Sequence, residues 1–251
     1  MAHRRRAALI TGAGRNIGRA VALGLAEDGF DLVLNGSTDR AACDSVAAEA
    51  AARGAATLVA MGDVGTQDGC ARIAAEAIAR FGAVEVLVNN AALRPHKGFL
   101  DWTEAEWRRV IAVDLDAAVW LSRACLPGML AAGWGRIVNF TGMNAIHGHA
   151  GRVPVSVAKH GVWGLTKALA MEFGPRGVTV NAISPGPIAA DEELADSGVA
   201  PSAQRAAMVG RVPLGRQGTP AEVAAVARLL ASEAGAYVNG QMLQVNGGGE
   251  T

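Results

Sequence analysis

The most informative segment of the chain is Thr11-Gly12-Ala13-Gly14-Arg15-Asn16-Ile17-Gly18. It follows the apolar run Ala7–Thr11, which predicts a strand, and it precedes a helical pattern from Arg19 to Asp28. Glycines in such a turn let backbone N–H groups approach a diphosphate, and the N-terminus of the next helix stabilises the negative charge. Because these glycines lie between a strand and a helix, the segment predicts a nucleotide-binding turn rather than a purely structural one. The residues expected to contact the nucleotide are Gly12, Arg15, Asn16, Ile17 and Gly18.

Short β-rich runs alternate with helical patterns along the rest of the chain. This alternation predicts βαβ units and a parallel sheet. The runs are almost continuously apolar, as is typical of strands that helices cover on both faces. No linker, low-complexity tract or internal repeat interrupts the pattern, so we expect one α/β domain over residues 1–251. The predicted strands are Ala7–Thr11, Asp31–Asn35, Ala56–Met61, Val84–Asn89, Gly135–Phe140, Val178–Ile183 and Met242–Val245.

The composition argues against several classes of protein. The 251 residues contain 23 Lys and Arg and 23 Asp and Glu, whereas a nucleic-acid-binding protein normally shows a basic excess. No apolar run approaches the ~18–20 residues that span a bilayer, and the N-terminus lacks the features of a secretory signal. The three cysteines, Cys43, Cys70 and Cys125, are too few and too dispersed for a disulfide framework or a CxxC metal site. We therefore expect a cytoplasmic protein with no nucleic-acid, membrane or metal partner.

The end of the second predicted strand indicates which dinucleotide is preferred. A site that prefers NAD usually places Asp or Glu there, to accept hydrogen bonds from the ribose hydroxyls. This chain has Gly36 instead, so no carboxylate repels a 2′-phosphate, and Ser37, Thr38 and Arg15 can donate to one, with Arg40 as a more distant donor. We therefore expect NADP rather than NAD. The alternative is that the two arginines are simply solvated.

The segment from Pro185 to Pro213 has the least regular pattern, because Pro, Gly and acidic residues cluster in it. In an α/β domain such a segment is either a lid over the ligand cleft or an ordinary surface loop. Its acidic residues Asp191, Glu192 and Glu193 hint at a polar or cationic ligand. Helix starts are marked more clearly, since Thr103 with Glu106 and Thr219 with Glu222 have the spacing of capping boxes.

Further motifs follow the predicted strands in order. Gly62-Asp63-Val64 follows the third strand, Asn89-Asn90-Ala91-Ala92 the fourth, and Pro185-Gly186 the sixth, and Asn239-Gly240-Gln241 and Val245-Asn246-Gly247-Gly248 lie near the end. Together with the glycine-rich turn, this series resembles the short-chain dehydrogenase/reductase family over essentially the whole chain. The resemblance implies a single Rossmann-like domain with a doubly wound parallel sheet of about seven strands, an NAD(P) cofactor, a small-molecule substrate, and a homotetramer or dimer.

The resemblance also implies contacts with each part of the cofactor. Asp63 and Val64 would contact the adenine, and Asn90 and Ala91 would lie along the cofactor ribose. The residues that would lie beside the nicotinamide and its ribose are Pro185, Gly186, Ile188 and Lys159. The family usually has Gly where this chain has Asn16 and Ala92. Its members associate through the helices that here carry Trp120 and Trp163.

The catalytic pattern of the family is incomplete in this chain. The family's chemistry rests on an asparagine, a serine and a Tyr-x-x-x-Lys pair, of which the lysine is present as Lys159. Val155 stands at the tyrosine position, Gly142 at the serine position and Asp114 at the asparagine position, and the one tyrosine is the distant Tyr237. A positioned general acid contributes roughly 10²–10⁴-fold to a rate and an oxyanion donor roughly 10²–10³-fold. The loss of both would cripple ordinary ketone reduction.

Four residues are candidates for the remaining chemistry: Lys159, Asp114, His147 and His149. Asp114 could pair with Lys159 through water, or it could be a plain polar residue in a helix. The two histidines lie between the fifth strand and the next helix, which in this fold borders the substrate, and histidine titrates in a suitable range. For the histidines the alternative is a solvated loop position, and for Lys159 it is a solvated helix position.

Three functions fit these residues. The first is an NAD(P)-dependent oxidoreductase with an atypical active site, acting on a small carbonyl, imine or conjugated substrate that needs no enzyme acid at the usual position. The second is a non-redox enzyme, such as a lyase, isomerase or hydrolase, with His147 or His149 as base. The third is a catalytically inactive subunit that binds NADP and supports a partner or senses the cofactor. The fold alone does not choose among them.

Overall fold

Strands and helices alternate along the chain, as the sequence pattern predicts. The computed structural model describes residues 4–191, 207 and 209–249. Its strands are β1 Ala7–Thr11, β2 Asp31–Gly36, β3 Thr57–Met61, β4 Val86–Asn89, β5 Gly135–Phe140, β6 Val178–Pro185 and β7 Met242–Val245. The longer helices are α1 Asn16–Glu27, α2 Arg40–Ala52, α3 Gln67–Phe81, α4 Glu104–Ile111, α5 Ala117–Ala132, α6 Val153–Phe173 and α7 Pro220–Ala231. One π-helical turn, Ala112–Asp116, joins α4 to α5.

These seven strands form one sheet in the order β3-β2-β1-β4-β5-β6-β7, and each neighbouring pair is parallel. The chain crosses from β3 at one edge to β4 in the middle, so the direction of winding reverses between β1 and β4. Every residue of β1 and β5 is buried, in keeping with their continuous apolar character. The prediction of a single Rossmann-like α/β domain with a doubly wound sheet is confirmed.

Two apolar layers hold helices against the two faces of the sheet. On one face Ile10 packs in the same layer as Leu230 of α7, together with residues of α1 and α2. On the other face its neighbour Leu9 packs with Ile73 of α3, together with residues of α5 and α6. Adjacent residues of β1 thus serve opposite layers, because successive side chains of a strand point to opposite faces.

The helix starts follow the local sequence signals. Thr103 accepts a hydrogen bond from the backbone N–H of Glu106, and the Glu106 carboxylate accepts one from the backbone N–H of Thr103, as predicted. Thr219 and Glu222 form the same arrangement at α7. By contrast, α1 begins at Asn16 and not at Arg19, because the glycine-rich turn leads directly into the helix.

Among the described residues, no helix combines the length and the apolar character needed to cross a membrane.

Candidate active site

The predicted site residues gather near the carboxyl ends of the strands. In an open parallel sheet, ligands bind at the crevice where the direction of winding reverses, which in this protein lies between β1 and β4. Thr11 ends β1, Asn89 ends β4 and Phe140 ends β5. The glycine-rich turn, the Asn90–Ala91 motif and the buried Lys159 therefore lie around one crevice, with Lys159 bonded to the carbonyl oxygen of Phe140.

The glycine-rich turn is fixed by the motif that follows β4. The hydroxyl of Thr11 accepts hydrogen bonds of 3.0 Å from the backbone N–H groups of Asn90 and Ala91. The Asn90 side chain donates in return to the carbonyl oxygens of Thr11 and Gly12, at 2.9 and 3.1 Å. Gly12 has φ +63°, and a Cβ there would lie 3.1 Å from the Asn90 amide nitrogen. Asn90 thus supports the turn, and only glycine fits at position 12 without strain.

The backbone conformation at Asn16 explains why asparagine can stand where the family usually has glycine. It has φ +51°, and it is the only non-glycine among the described residues with a positive φ. Asparagine tolerates this left-handed conformation better than most side chains. The backbone geometry that the family usually assigns to glycine is therefore retained with a side chain that can form hydrogen bonds. Arg15, immediately before it, is exposed.

The end of β2 is closely packed at Gly36. A Cβ at Gly36 would lie 2.7 Å from the Cys43 sulfur, and Cys43 is buried against the sheet. Ser37 and Arg40 are exposed, and Arg40 forms an ion pair with Asp44 of the next helical turn at 3.5 Å. A larger residue at position 36 would therefore require the Cys43 side chain of α2 to move.

Asp63 and Val64 follow β3, as the motif predicts. The Asp63 carboxylate accepts two hydrogen bonds from the Arg109 guanidinium, at 2.8 and 3.0 Å, and one from the backbone N–H of Gly65. The hydrogen bonds from Arg109 hold the pKa of Asp63 below its usual range, so the carboxylate stays charged. Val64 is buried beside Cys70, whose thiol donates to the Val64 carbonyl oxygen.

The predicted nicotinamide-side residues lie at the end of β6. Gly186 donates from its backbone to Val245 of β7, and Ile188 forms an isolated parallel bridge with Gly218. The chain then reaches Asp191, whose carboxylate accepts a 2.6 Å hydrogen bond from the backbone N–H of Asn16. The rest of the predicted lid lies largely outside the described residues, including Glu192 and Glu193.

Lys159 and Asp114 form a buried ion pair in the centre of this region. Their side chains are 7% and 0% exposed, and the Lys159 Nζ lies 3.6 Å from Asp114 Oδ2. Asp114 Oδ1 accepts a 2.7 Å hydrogen bond from the backbone N–H of Leu93, whereas Oδ2 accepts none from the described residues. The sequence predicts a pairing through water, whereas in the structure the two side chains form a direct ion pair, at a distance that exceeds a hydrogen bond. It depends on the π-helical turn that contains Asp114, a feature that is frequent at functional sites.

Burial acts on both members of this pair. It raises the pKa of Asp114, and the charge of Lys159 opposes that rise. It lowers the pKa of Lys159, and the charge of Asp114 opposes that fall. The pair lines a cavity of about 10 Å³ together with Thr11 and Asn89. A cavity of this size and polarity is close to the minimum that holds one water molecule.

The two positions without the expected catalytic side chains differ in their surroundings. Val155 is 1% exposed, so it is part of the core at the start of α6. Gly142 has φ +78°, and a Cβ there would meet only the carbonyl oxygen of Pro185 at 4.0 Å. Position 142 thus has open space beside it but a backbone conformation that a serine rarely adopts.

The structure does not bring the two histidines into the buried pair. His147 and His149 are both exposed, unlike Lys159 and Asp114. The His149 Nδ1 lies 2.8 Å from the Ala150 carbonyl oxygen, and its ring stands edge-on to that of His96 at 6.4 Å. Their role as bases stays a prediction. Within the described ranges, no cluster of three or more His, Cys, Asp or Glu could hold a metal ion.

Two arginines of this region were not predicted from the sequence as site residues. Arg94 follows Leu93 on the connection after β4, and its charge acts on both Asp114 and Lys159. Arg152 directly precedes α6, and it acts on Arg94. The sequence does contain one indication of Arg94: it is a charged residue that follows the Asn89–Ala92 motif closely, on a segment that borders the crevice.

Comparison with known proteins assigns the chain to a family. A family model described as enoyl-(acyl carrier protein) reductase matches residues 12–250. Nodulation protein G of Azospirillum brasilense is 38% identical over 241 residues, which cover 96% of each chain. The 3-oxoacyl-[acyl-carrier-protein] reductase FabG of Pseudomonas aeruginosa is 37% identical over 243 residues, again with 96% of each chain covered.

Solved structures give the same assignment. A candidate NAD(P)-dependent gluconate 5-dehydrogenase from Beutenbergia cavernae, with bound NADP, is 39% identical with a TM-score of 0.87, over 97% of this chain and 96% of that one. Acetoin dehydrogenase from Salmonella typhimurium is 32% identical with a TM-score of 0.89, over 97% and 95%. From its motifs, its sheet and these relatives, the chain belongs to the short-chain dehydrogenase/reductase family, whose homologues here are NAD(P)-dependent oxidoreductases.

Proposed function

We propose that this protein is an NADP-preferring oxidoreductase that reduces a small carbonyl, imine or conjugated substrate without a tyrosine or serine at the usual positions. The observation that carries the proposal is the buried Lys159–Asp114 pair, which lies beside a complete cofactor turn. A buried ion pair is energetically costly. Its presence beside that turn therefore favours a functional active site over one that has lost its activity. The names of the relatives, reductases and dehydrogenases among them, agree with this class of reaction.

The residues present fit the cofactor. The buried Asn89 Oδ1 lines the same cavity as Lys159 and has no hydrogen-bond partner among the described residues, so a polar group of a ligand could satisfy it. Exposed Arg15 and Ser37 suit the 2′-phosphate, since no carboxylate stands at the end of β2. Lys159 would hold the nicotinamide ribose, and NADPH bound there would supply a hydride.

The chemistry of the chain's own residues limits the substrate. Neither Val155 nor Gly142 carries a proton donor, so neither can protonate a developing alkoxide. Lys159 provides positive charge, and burial lowers its pKa, which makes its ammonium a better acid than an exposed lysine. Substrates that leave a stabilised anion, or that are already protonated, need the least help. Conjugated carbonyl compounds and imines meet this condition.

The test is a fluorescence titration with NADPH and NADH, followed by NADPH oxidation with a panel of enones, imines, quinones and simple ketones. We expect tighter binding of NADPH and turnover of the conjugated and imine members. Lys159→Met should lower turnover at least tenfold, whereas Lys167→Met, an exposed change on the same helix, should not. Failure to bind either dinucleotide would overturn the proposal.

A second candidate function is a catalytically inactive NADP-binding subunit. Buried Val155 favours it, because the core fills the place where a catalytic hydroxyl is expected. The two functions differ in one result: the inactive subunit binds NADPH but oxidises it with no member of the panel.

We further propose a cytoplasmic homodimer or homotetramer. Trp120 of α5 and Trp163 of α6 are only half-buried in the single chain, although large aromatic side chains suit a buried interface. The oligomeric state by light scattering, compared between the wild type and Trp163→Ala, tests this assignment. A monomeric wild type would contradict it.

A further inference from the structure

Two arginines from different parts of the chain lie in this region: Arg94 acts on both members of the Lys159–Asp114 pair, and Arg152 acts on Arg94. Arg94 lies on the connection after β4, where the backbone N–H of its neighbour Leu93 donates to Asp114 Oδ1 at 2.7 Å. Arg152 lies on the connection before α6, next to Gly151, whose carbonyl oxygen accepts a 2.8 Å hydrogen bond from the Lys97 backbone. The first bond ties the connection after β4 to Asp114, and the second ties it to the connection before α6.

The charges in this cluster are not balanced. Arg94 is attracted by Asp114 and repelled by both Arg152 and Lys159. Lys159 and Arg94 thus share the one carboxylate of Asp114, and Arg152 adds a third positive charge close to Arg94. No carboxylate among the described residues forms an ion pair within 4.0 Å of either guanidinium, although most arginines of the chain, such as Arg108 and Arg109, have such a partner.

The hydrogen-bonding capacity of these arginines is also unused. Arg152 Nε is buried and has no hydrogen-bond partner among the described residues. Its side chain makes no capping hydrogen bond to α6, so it has no evident role in starting that helix. A buried donor without a partner is energetically unfavourable, which marks it as a group that a ligand could satisfy.

The side chain of Arg94 is accessible to a ligand. The residue is exposed, and yet partial desolvation lowers the pKa of its guanidinium. The guanidinium is thus open to solvent on one side and partly shielded from water by neighbouring protein atoms. Such a site is open to a ligand and strengthens the attraction between the guanidinium and an anion.

We propose that Arg94 and Arg152 together bind an anionic group, a carboxylate or a phosphate, of the substrate. Guanidinium groups bind both anions through paired hydrogen bonds, and two of them can hold one anion from two directions. The inference rests on the proposed function, because it places the reducible group of the substrate near Lys159. It adds a substrate class to that proposal: small carbonyl or imine compounds that carry a negative charge.

The experiment measures anion binding by the full chain saturated with NADPH, using isothermal calorimetry. The probes are malonate, inorganic phosphate, and malonamide as a neutral isostere. We expect malonate or phosphate to bind and malonamide not to bind, and the tighter of the two anions identifies the chemical group. Equal behaviour of malonate and malonamide, with no binding of phosphate, would overturn the proposal.

Variants locate the binding site. Arg94→Gln and Arg152→Gln should each weaken anion binding about tenfold or more, and Arg94→Lys should lose less because it keeps the charge. The control is Arg108→Gln, an exposed arginine on α4 that pairs with Glu104, and it should leave anion binding unchanged. An equal loss in the control, or no loss in the two variants, contradicts the assignment.

The NADPH titration distinguishes a failure of the proposed function from a failure of the proposed anion site. If NADPH does not bind, the proposed function fails before the anion is tested. If NADPH binds to the wild type and to both variants alike, while the anion result is negative, only the assignment of Arg94 and Arg152 fails. Unchanged NADPH affinity also shows that the variants are folded.

Discussion

The carboxylate of Asp191 lies on the first residue of α1, where it accepts a 2.6 Å hydrogen bond from the backbone N–H of Asn16. The Asn16 side-chain oxygen accepts a 2.9 Å hydrogen bond from the backbone N–H of Asp191 in return. A helix N-terminus carries partial positive charge and attracts anions. The segment after β6 thus places a carboxylate at the point where the glycine-rich turn is expected to hold the cofactor diphosphate.

The first prediction is that Asp191→Asn strengthens NADPH binding by about threefold to tenfold. The substitution removes a negative charge that competes with the diphosphate for the N-terminus of α1. Fluorescence titration measures the effect. Asp68→Asn, an exposed change in the first turn of α3, should leave the affinity as it is. Weaker binding in Asp191→Asn would show that the carboxylate supports the cofactor rather than competing with it.

The second prediction concerns the buried pair. Asp114→Asn keeps the hydrogen bond from the Leu93 N–H but leaves the Lys159 ammonium without its countercharge, and breaking a buried pair in this way costs about 3–5 kcal/mol. Urea denaturation at pH 7 measures the change in the free energy of unfolding. The control is Asp116→Asn, two residues further on, whose side chain makes no capping hydrogen bond to α5. A loss below 1 kcal/mol would contradict an ion pair in the folded protein.

The same variant should respond to pH in a defined direction. Burial lowers the pKa of Lys159, and Asp114 is the group that opposes this fall, so its removal lowers the pKa of Lys159 further. Between that lowered pKa and the ordinary pKa of lysine, the unfolded chain binds more protons than the folded one, and stability rises with pH. The deficit of Asp114→Asn relative to the wild type should therefore shrink as pH is raised from 7 towards 10. A deficit that grows over this range would contradict the argument.

The parts of this protein that follow from local patterns could be predicted from its sequence. The strand β1 and the turn from Thr11 to Gly18 depend on neighbouring residues, and so do the capping boxes at Thr103 and Thr219. The ends of strands do not follow from local patterns in the same way. Strand β6 continues to Pro185, beyond the predicted Ile183, because its pairing with β7 extends that far. Pairing between strands is set by tertiary contacts rather than by local propensity.

Contacts between distant residues could not be predicted in the same way. Asn16 and Asp191 are 175 positions apart, and no local pattern indicates that the two meet. Arg94 lies in an irregular connection, where sequence gives little information on side-chain position. The direct approach of Asp114 to Lys159 depends on a π-helical turn, and helical periodicity alone does not reveal such a turn.

The third prediction tests the preference for NADP. Arg15→Ala should weaken NADPH binding about tenfold and leave NADH binding nearly unchanged, because a charge-assisted contact to the 2′-phosphate exists only with NADPH. Arg80→Ala, on the last turn of α3, is the control. Equal weakening for both dinucleotides would place Arg15 at the diphosphate instead, and no weakening would favour a simply solvated arginine.

The last prediction is that Val155→Tyr combined with Gly142→Ser raises the reduction of simple ketones by NADPH at least tenfold. Tyrosine would restore a proton donor four residues before Lys159, and serine a hydrogen-bond donor for the carbonyl oxygen. Each of the two substitutions should lower the stability of the folded protein. Serine at φ +78° is strained by about 1–3 kcal/mol, and tyrosine at the buried Val155 must displace its neighbours. We therefore expect the double variant to be less stable than the wild type and yet more active on ketones. Val155→Phe with Gly142→Ser is the matched control, since it fills the same space without a hydroxyl. If the tyrosine variant folds, binds NADPH and is no more active than the phenylalanine variant, position 155 does not face the reacting carbonyl, and a hydroxyl there cannot restore the missing acid.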